Sequence, residues 1–281
     1  MDAGNATFLN LIARRWRNAA TALSFFLFGL GGLLLAFAVI PLAALFSRLR
    51  TSSARHDLAQ RCISASFRIY IRIMRGLRAI DFRIENAALL REDENQPLLV
   101  VANHPSLLDY VFLASLMPRC DCIVKKPLAQ RNFFTRPLVK AAGYIPNDDT
   151  AALFDACRER FAQGRRILIF PEGTRSTPGQ PILLQRGAAN LAVRCRVPLR
   201  VIHITCTPPI LTRQHKWWQT AATRPVFRIT VREKIDVIPF LEASSDGEFS
   251  PWRAARLLNA RLQRALDPRA TPANTTQATQ P

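Results

Sequence analysis

His104 stands in the run VANHPSLLDY, directly after an apolar stretch that reads as a buried strand and directly before a helix start marked by Pro105. Proline suits a first helical turn because the N–H it lacks would have no partner there. Five residues after His104 comes Asp109. With a helix over 105–117, a carboxylate in its second turn reaches back toward the helix start. There it can receive an imidazole N–H, fix the tautomer and stabilise the cation formed on proton uptake. His104 and Asp109 therefore have the chemistry of a general base and its orienter. No GxSxG nucleophile elbow accompanies them and Ser106 is in the wrong context, so the hydroxyl that such a base activates belongs to a substrate. A histidine bonded locally at a helix start would show the same bare spacing.

A second cluster, ILIFPEGTRS (167–176), runs from a strand-like stretch into a loop carrying Glu172, Gly173, Thr174 and Arg175. Glycine lets backbone N–H groups approach a ligand, threonine adds a hydroxyl, and arginine offers a two-pronged clamp for phosphate. The plainer reading is a strand-end turn with an ion pair between Glu172 and Arg175.

The elements that must position these residues follow from the pattern. Short β-type runs at 79–85, 98–103, 122–125, 166–170, 199–206 and 226–235 alternate with helical stretches near 105–117, 127–141, 149–163, 183–196 and 250–266. That alternation predicts an α/β fold, a mixed or mostly parallel sheet flanked by helices, over residues 80–267. The segment 268–281 is polar and proline-bearing and reads as a disordered tail.

Ahead of this domain lie 30 consecutive uncharged residues, Asn18 to Ser47, enough to anchor a chain in a membrane. The stretch is too long for the apolar core of a signal peptide and is followed by arginines. Fully helical it would measure about 45 Å against a hydrocarbon core of about 30 Å. It must therefore tilt, or fold back as two half-helices near Gly29, Gly31, Gly32 and Pro41. Arginines on both flanks favour the monotopic hairpin, with both ends on the cytoplasmic side of an inner membrane. Residues 1–57 thus read as an anchor. Residues 58–79 read as a basic amphipathic helix: Ile63, Phe67, Tyr70, Met74 and Leu77 form one stripe, Arg61, Arg68, Arg72 and Arg75 another, as suits anionic headgroups. The chain carries 39 basic and 20 acidic residues, a net +19, of which +9 lies within residues 1–91. An anionic membrane surface is the expected partner. Nucleic acid is not, because no helix-turn-helix, zinc-finger or RNA-stacking signature accompanies the charge. Neither cysteines nor histidines show metal-ligand spacing, so no metal is expected. The patch RQHKWWQ (213–219) suits a membrane-interface loop, and His203 reads as a strand residue.

Together, NHPSLLD (103–109) and FPEGTRS (170–176) resemble the glycerophospholipid acyltransferase family, which includes bacterial lysophosphatidic acid acyltransferases. The resemblance spans roughly residues 80–235. It implies that His104 deprotonates an acceptor hydroxyl with Asp109 in support, that Glu172, Gly173, Thr174 and Arg175 bind the acceptor, and that no cofactor takes part. The acyl donor would be acyl-CoA or acyl carrier protein; the acceptor would be a lysophospholipid, 1-acyl-glycerol-3-phosphate giving phosphatidic acid. Two departures bear on the acceptor. Where the family has a glycine-led segment ending in Asp-Arg, this chain reads GYIPNDD (143–149), with Asp148 at the aspartate and Asp149 at the arginine. That change of sign disfavours a dianionic headgroup, although Lys125 and Lys126 can compensate. The block VPLRVI (197–202) lacks the family's second proline, and its Arg200 faces either the site or solvent. An acyltransferase of a specialised lipid pathway, with a polyene-lipid or other non-glycerophosphate acceptor, is the alternative, and a non-enzymatic basic membrane-binding protein is a third reading.

Overall fold

The computed structural model describes residues 3–46, 51–130, 135–147, 149–216, 219–243 and 250–267. Asp148, Trp217, Trp218 and the segment 268–281 lie outside the described residues. The chain opens with α1 (Ala3–Leu34), a π-helical turn (Leu35–Val39), α2 (Ile40–Phe46) and α3 (Ser52–Gly76). The domain follows as β1 (Asp81–Glu85), α4 (Ala88–Glu92), β2 (Leu98–Ala102), α5 (Asp109–Leu116), β3 (Cys120–Lys125), α6 (Lys126–Gln130), α7 (Arg136–Ala142) and β4 (Ile145–Asn147). It continues with α8 (Thr150–Ala162), β5 (Arg166–Ile169), α9 (Gly187–Cys195), β6 (Leu199–Thr207), β7 (Val226–Ile235), α10 (Ile238–Glu242) and α11 (Pro251–Leu266).

The seven strands form one mixed sheet in the order β1-β7-β6-β2-β5-β3-β4. Strands β6, β2, β5, β3 and β4 run parallel, whereas β7 is antiparallel to β6 and carries β1 parallel to itself. Central β2 is buried at every position, as parallel strands covered on both faces are. Its Leu98, Val100 and Ala102 pack with α3 and α5 on one face. Leu99 and Val101 join α8, α9 and α11 on the other.

The fold-back expected inside the apolar segment is not there. Ala3–Phe46 is one unbroken helix, and the glycines have open space around them. Pro41 is absorbed by the π turn before it, in which the Ile40 N–H donates to Leu35 O, because a proline removes one helical donor and crowds the preceding turn. α3 packs alongside α1. Trp16 Nε1 donates to Leu77 O, and Phe28 meets Phe67 and Tyr70 at centroid distances of 6.0 and 5.1 Å. The apolar stripe of α3 is thereby covered: Ile63, Tyr70 and Met74 are buried against protein, not lipid. Its Arg61, Arg68 and Arg72 remain exposed. On α1 the outward stripe Phe26, Leu30, Leu34 and Phe37 is exposed, Phe26 by 65%. By length and composition Ala13–Phe46 is able to cross a membrane.

A buried polar cluster fixes α3 to the sheet. Arg165 donates from Nε to Asp121 Oδ2 at 2.6 Å and from Nη2 to Gln60 Oε1 at 3.1 Å, and pairs with Asp57. Gln60 Nε2 donates to Asp121 Oδ1 at 2.8 Å and to Ala142 O at 2.9 Å. Burial alone would lower the Arg165 pKa, but the Asp121 and Asp57 carboxylates outweigh it and hold the guanidinium above its ordinary value. Beside the cluster Gly143 ends α7 at φ 64°, and a Cβ there would lie 2.4 Å from His56 Nδ1. Removing one partner of a buried pair strands the other charge at a cost of about 3–5 kcal/mol. Arg165→Met should therefore lower the melting temperature by on the order of 10 °C, and an unchanged melting curve would contradict this role.

Candidate active site

The candidate residues collect at the carboxyl ends of the parallel strands, the edge where open α/β sheets bind ligands. β2 leaves the sheet at Ala102, and Asn103 replaces the next rung of the ladder. Its Nδ2 donates to Ile204 O at 2.8 Å and its Oδ1 accepts from Ile204 N at 2.6 Å. Backbone groups on β6 are thus satisfied while the chain turns upward into His104.

The expected helix over 105–117 starts later, with α5 at Asp109. Residues 106–108 form a turn that leads into it. Asp109 Oδ2 accepts from Ser106 N at 2.6 Å, and Ser106 Oγ accepts from Leu108 N at 3.4 Å. Asp109 thus sits in the first turn, not the second, and Ser106 is a buried turn residue. The same Oδ2 meets His104 Nδ1 at 2.8 Å. The carboxylate is fully buried, and burial pushes its pKa up to about 6 against the opposing His104 hydrogen bond. At neutral pH Asp109 is ionised and can only accept, so Nδ1 carries a proton toward it and Nε2 is the ring nitrogen turned away from the carboxylate. The Phe170 ring covers one face of the imidazole, at 4.3 Å and 24°, and 19% of the His104 side chain stays exposed.

The two sequence clusters, 68 residues apart, meet directly. Glu172 Oε1 accepts from His104 N at 2.8 Å and from Ser176 Oγ at 2.9 Å, and Ser176 N donates to His104 O at 2.7 Å. Glu172 is 8% exposed, and burial raises its pKa. The ion pair of the plainer reading is not formed, because Arg175 turns elsewhere: its Nη1 donates to Leu211 O at 2.7 Å and Thr212 O at 3.0 Å. Gly173 adopts φ 67°, and its own N–H goes to Phe170 O at 3.1 Å, so this glycine shapes the turn rather than offering that donor to a ligand. Thr174 is exposed. Lys125 ends β3 on the same edge, exposed, with β5 lying between it and β2, which is a lateral separation of about 10 Å.

Other expectations are corrected. Arg200 faces neither site nor solvent: it is buried, with Nε donating to Asp93 Oδ2 at 2.6 Å and Nη1 to Arg232 O at 3.0 Å. Asp149 is the N-cap of α8, its Oδ1 accepting from Ala151 N at 3.0 Å, so a helix start accounts for an acid there. His203 is a buried strand residue whose pKa burial lowers to about 4. Sequence reasoning missed Asn103, Phe170 and Leu211. Only Phe170, an aromatic ring directly before the Glu-Gly-Thr-Arg turn, left a local signal.

A protein-family model described as Acyltransferase matches residues 81–206, the span that holds both clusters. The chain is 34% identical over 108 residues to a 1-acyl-sn-glycerol-3-phosphate acyltransferase of Helicobacter pylori, covering 36% of this chain and 46% of that protein. It is 31% identical over 111 residues to human 1-acyl-sn-glycerol-3-phosphate acyltransferase alpha, covering 37% and 39%. It thus spans less than half the length of these curated relatives. The crystal structure of the 1-acyl-sn-glycerophosphate (LPA) acyltransferase PlsC from Thermotoga maritima shares the fold, with a TM-score of 0.65 at 17% identity over 90% of this chain and 97% of that one.

The Asp109 carboxyl sets a pH expectation for this candidate site. Its folded pKa of about 6 lies above the ordinary 3.8. The protonated form is therefore favoured by folding, and the charge the base needs is lost as pH falls through 6. The rate should rise with pH across that value as the Asp109 carboxyl ionises. A rate independent of pH between 5 and 7.5 would contradict the pairing. Charging the buried carboxyl costs on the order of 3 kcal/mol, so Asp109→Asn should melt no earlier than the parent at pH 8 while losing most of its activity.

Proposed function

We propose that the protein is a membrane-attached O-acyltransferase that moves a fatty acyl group from acyl-CoA or acyl carrier protein to the hydroxyl of a lysophospholipid, converting 1-acyl-glycerol-3-phosphate to phosphatidic acid. The observation that carries this reading is the His104–Asp109 pair held against the Glu-Gly-Thr-Arg turn by Glu172. His104 Nε2 takes the acceptor proton as the hydroxyl oxygen attacks the thioester carbonyl carbon. The tetrahedral intermediate collapses, its C–S bond breaks, and the leaving thiolate takes the proton back from the imidazolium. Asp109 holds the imidazole in the required tautomer and stabilises its charged form. Glu172 braces the histidine backbone, which leaves exposed Thr174 and Lys125, beside half-buried Arg175, to meet the acceptor headgroup. Gly173 sets the turn that presents them.

Membrane attachment is supported by the outward stripe of α1, because a continuous apolar face of this length is out of place on a soluble surface. The exposed arginines of α3 suit an anionic leaflet. The catalytic domain then lies on the cytoplasmic side of the inner membrane, where the lipid acceptor arrives laterally and the thioester from solution.

His104→Ala should lower acyl transfer to lysophosphatidic acid about 10²- to 10⁴-fold and leave vesicle binding intact; wild-type turnover in that variant would end the assignment. Asp149, an exposed acid on the same edge, favours the second reading of a non-phosphate acceptor. In parallel assays lysophosphatidic acid should outpace phosphate-free lipid alcohols, and the reverse order would move the assignment to a specialised lipid.

A further inference from the structure

The link between β6 and β7, described over 208–216 and 219–225, forms a strap along one side of the site. Its Leu211 has φ 54°, a left-handed conformation that costs a branched residue about 1–2 kcal/mol. The conformation is held from two directions. The Leu211 side chain is 3% exposed in the core that contains Phe112 and Met74. Its carbonyl accepts both Leu107 N at 3.1 Å and Arg175 Nη1 at 2.7 Å. Leu107 lies inside the His104–Asp109 turn, so a single strained carbonyl joins the base-bearing turn to the arginine of the second cluster. Further along, the strap is tied to the N-terminal helix. Arg17 Nη2 donates to Ala222 O, and Thr220 Oγ1 donates to Asn18 Oδ1. Its return end is tied by Arg224, which donates to Ile80 O at 2.8 Å and Arg75 O at 3.0 Å.

From these contacts we infer that Arg17 is a positioning residue for acyl transfer: by holding the strap at Ala222 it keeps the Leu211 and Thr212 carbonyls where they fix Arg175 and the His104 turn. The seating of α1 and the alignment of the catalytic turn are thereby one mechanical unit. Arg17 touches no reacting atom, and its effect passes through the strap residue beside Ala222, because Ala221 packs against the same core that holds Leu211. A misplacement of about 1 Å at a reacting group costs up to about 100-fold in rate, which sets the scale expected here.

The inference rests on the acyl-transfer reading, and one set of assays separates the two. In the full-length protein on lipid vesicles, with decanoyl-CoA and lysophosphatidic acid, Arg17→Ala should lower kcat about 10- to 100-fold. The KM for the thioester should stay within about twofold and the melting temperature near that of the parent. Arg17→Lys, which keeps a donor, should recover most of the rate. Amide exchange at Leu107 should quicken in Arg17→Ala, while Val100 and Val101 in β2 stay protected. Thr220→Val cuts the second tie and carries the same expectation should Arg17→Ala fail to fold. Wild-type kcat in Arg17→Ala beside an inactive His104→Ala would overturn the positioning role and leave the reaction assignment standing. Wild-type turnover in His104→Ala would overturn the assignment itself.

Discussion

The architecture of the site turns on one hydrogen bond, from His104 Nδ1 to Asp109 Oδ2 at 2.8 Å, made by a carboxylate that no water reaches. Burying an ionisable group is unfavourable unless its charged form is bonded. Asp109 receives two such bonds, from the imidazole and from Ser106 N at 2.6 Å, and burial still leaves its pKa near 6. The pair is therefore poised: solvated, the carboxylate would orient the ring weakly, and without its two donors it would be neutral and orient nothing. The turn over 106–108, closed by Ser106 N on Asp109 Oδ2, places the acid at the helix start. The Asn103 side chain, closing the ladder onto Ile204, lets the strand release His104 at the right height.

Everything else at this edge keeps two distant pieces of chain in register with that bond. The parallel pairing of β2 with β5 brings Val101 opposite Ile169, so the loops that follow emerge side by side. Glu172 clamps the main chain of His104 from one loop, and Leu211 clamps that of Leu107 from a third segment after β6. Both clamps act on backbone atoms. The imidazole is thus oriented by its partner carboxylate and by Phe170, while its position is set by the sheet. This division suits the proposed base, which would change charge without moving.

Much of this was legible in the sequence because it is local. An unbroken apolar run such as Leu98–Ala102 can only be a covered strand, and a histidine and an acid flanking a helix start announce their own proximity. What was illegible is non-local or compensatory. β4 has three residues, one of them Pro146, and exists because β3 lends it a partner. The acid at 149 read as a loss of headgroup charge, whereas the chain also uses it to cap α8. Gly29, Gly31, Gly32 and Pro41 marked a break that the helix avoids with a π turn. Glu172 read as an acceptor ligand because its partner, the His104 amide, is 68 residues away. No sequence signal marks a leucine with positive φ.

The N-terminal helices belong to the same scheme. α3 supplies core residues under α5 and is fixed to the sheet through Arg165, so the apolar face of α1 is held rigidly beside the catalytic edge. The most direct test of the central claim is ¹⁵N NMR of histidine-labelled protein above pH 7, which reads the tautomer of His104. The account predicts a protonated Nδ1 and an unprotonated Nε2, with that preference lost in Asp109→Asn; a His104 ring protonated at Nε2 in the parent protein would contradict it.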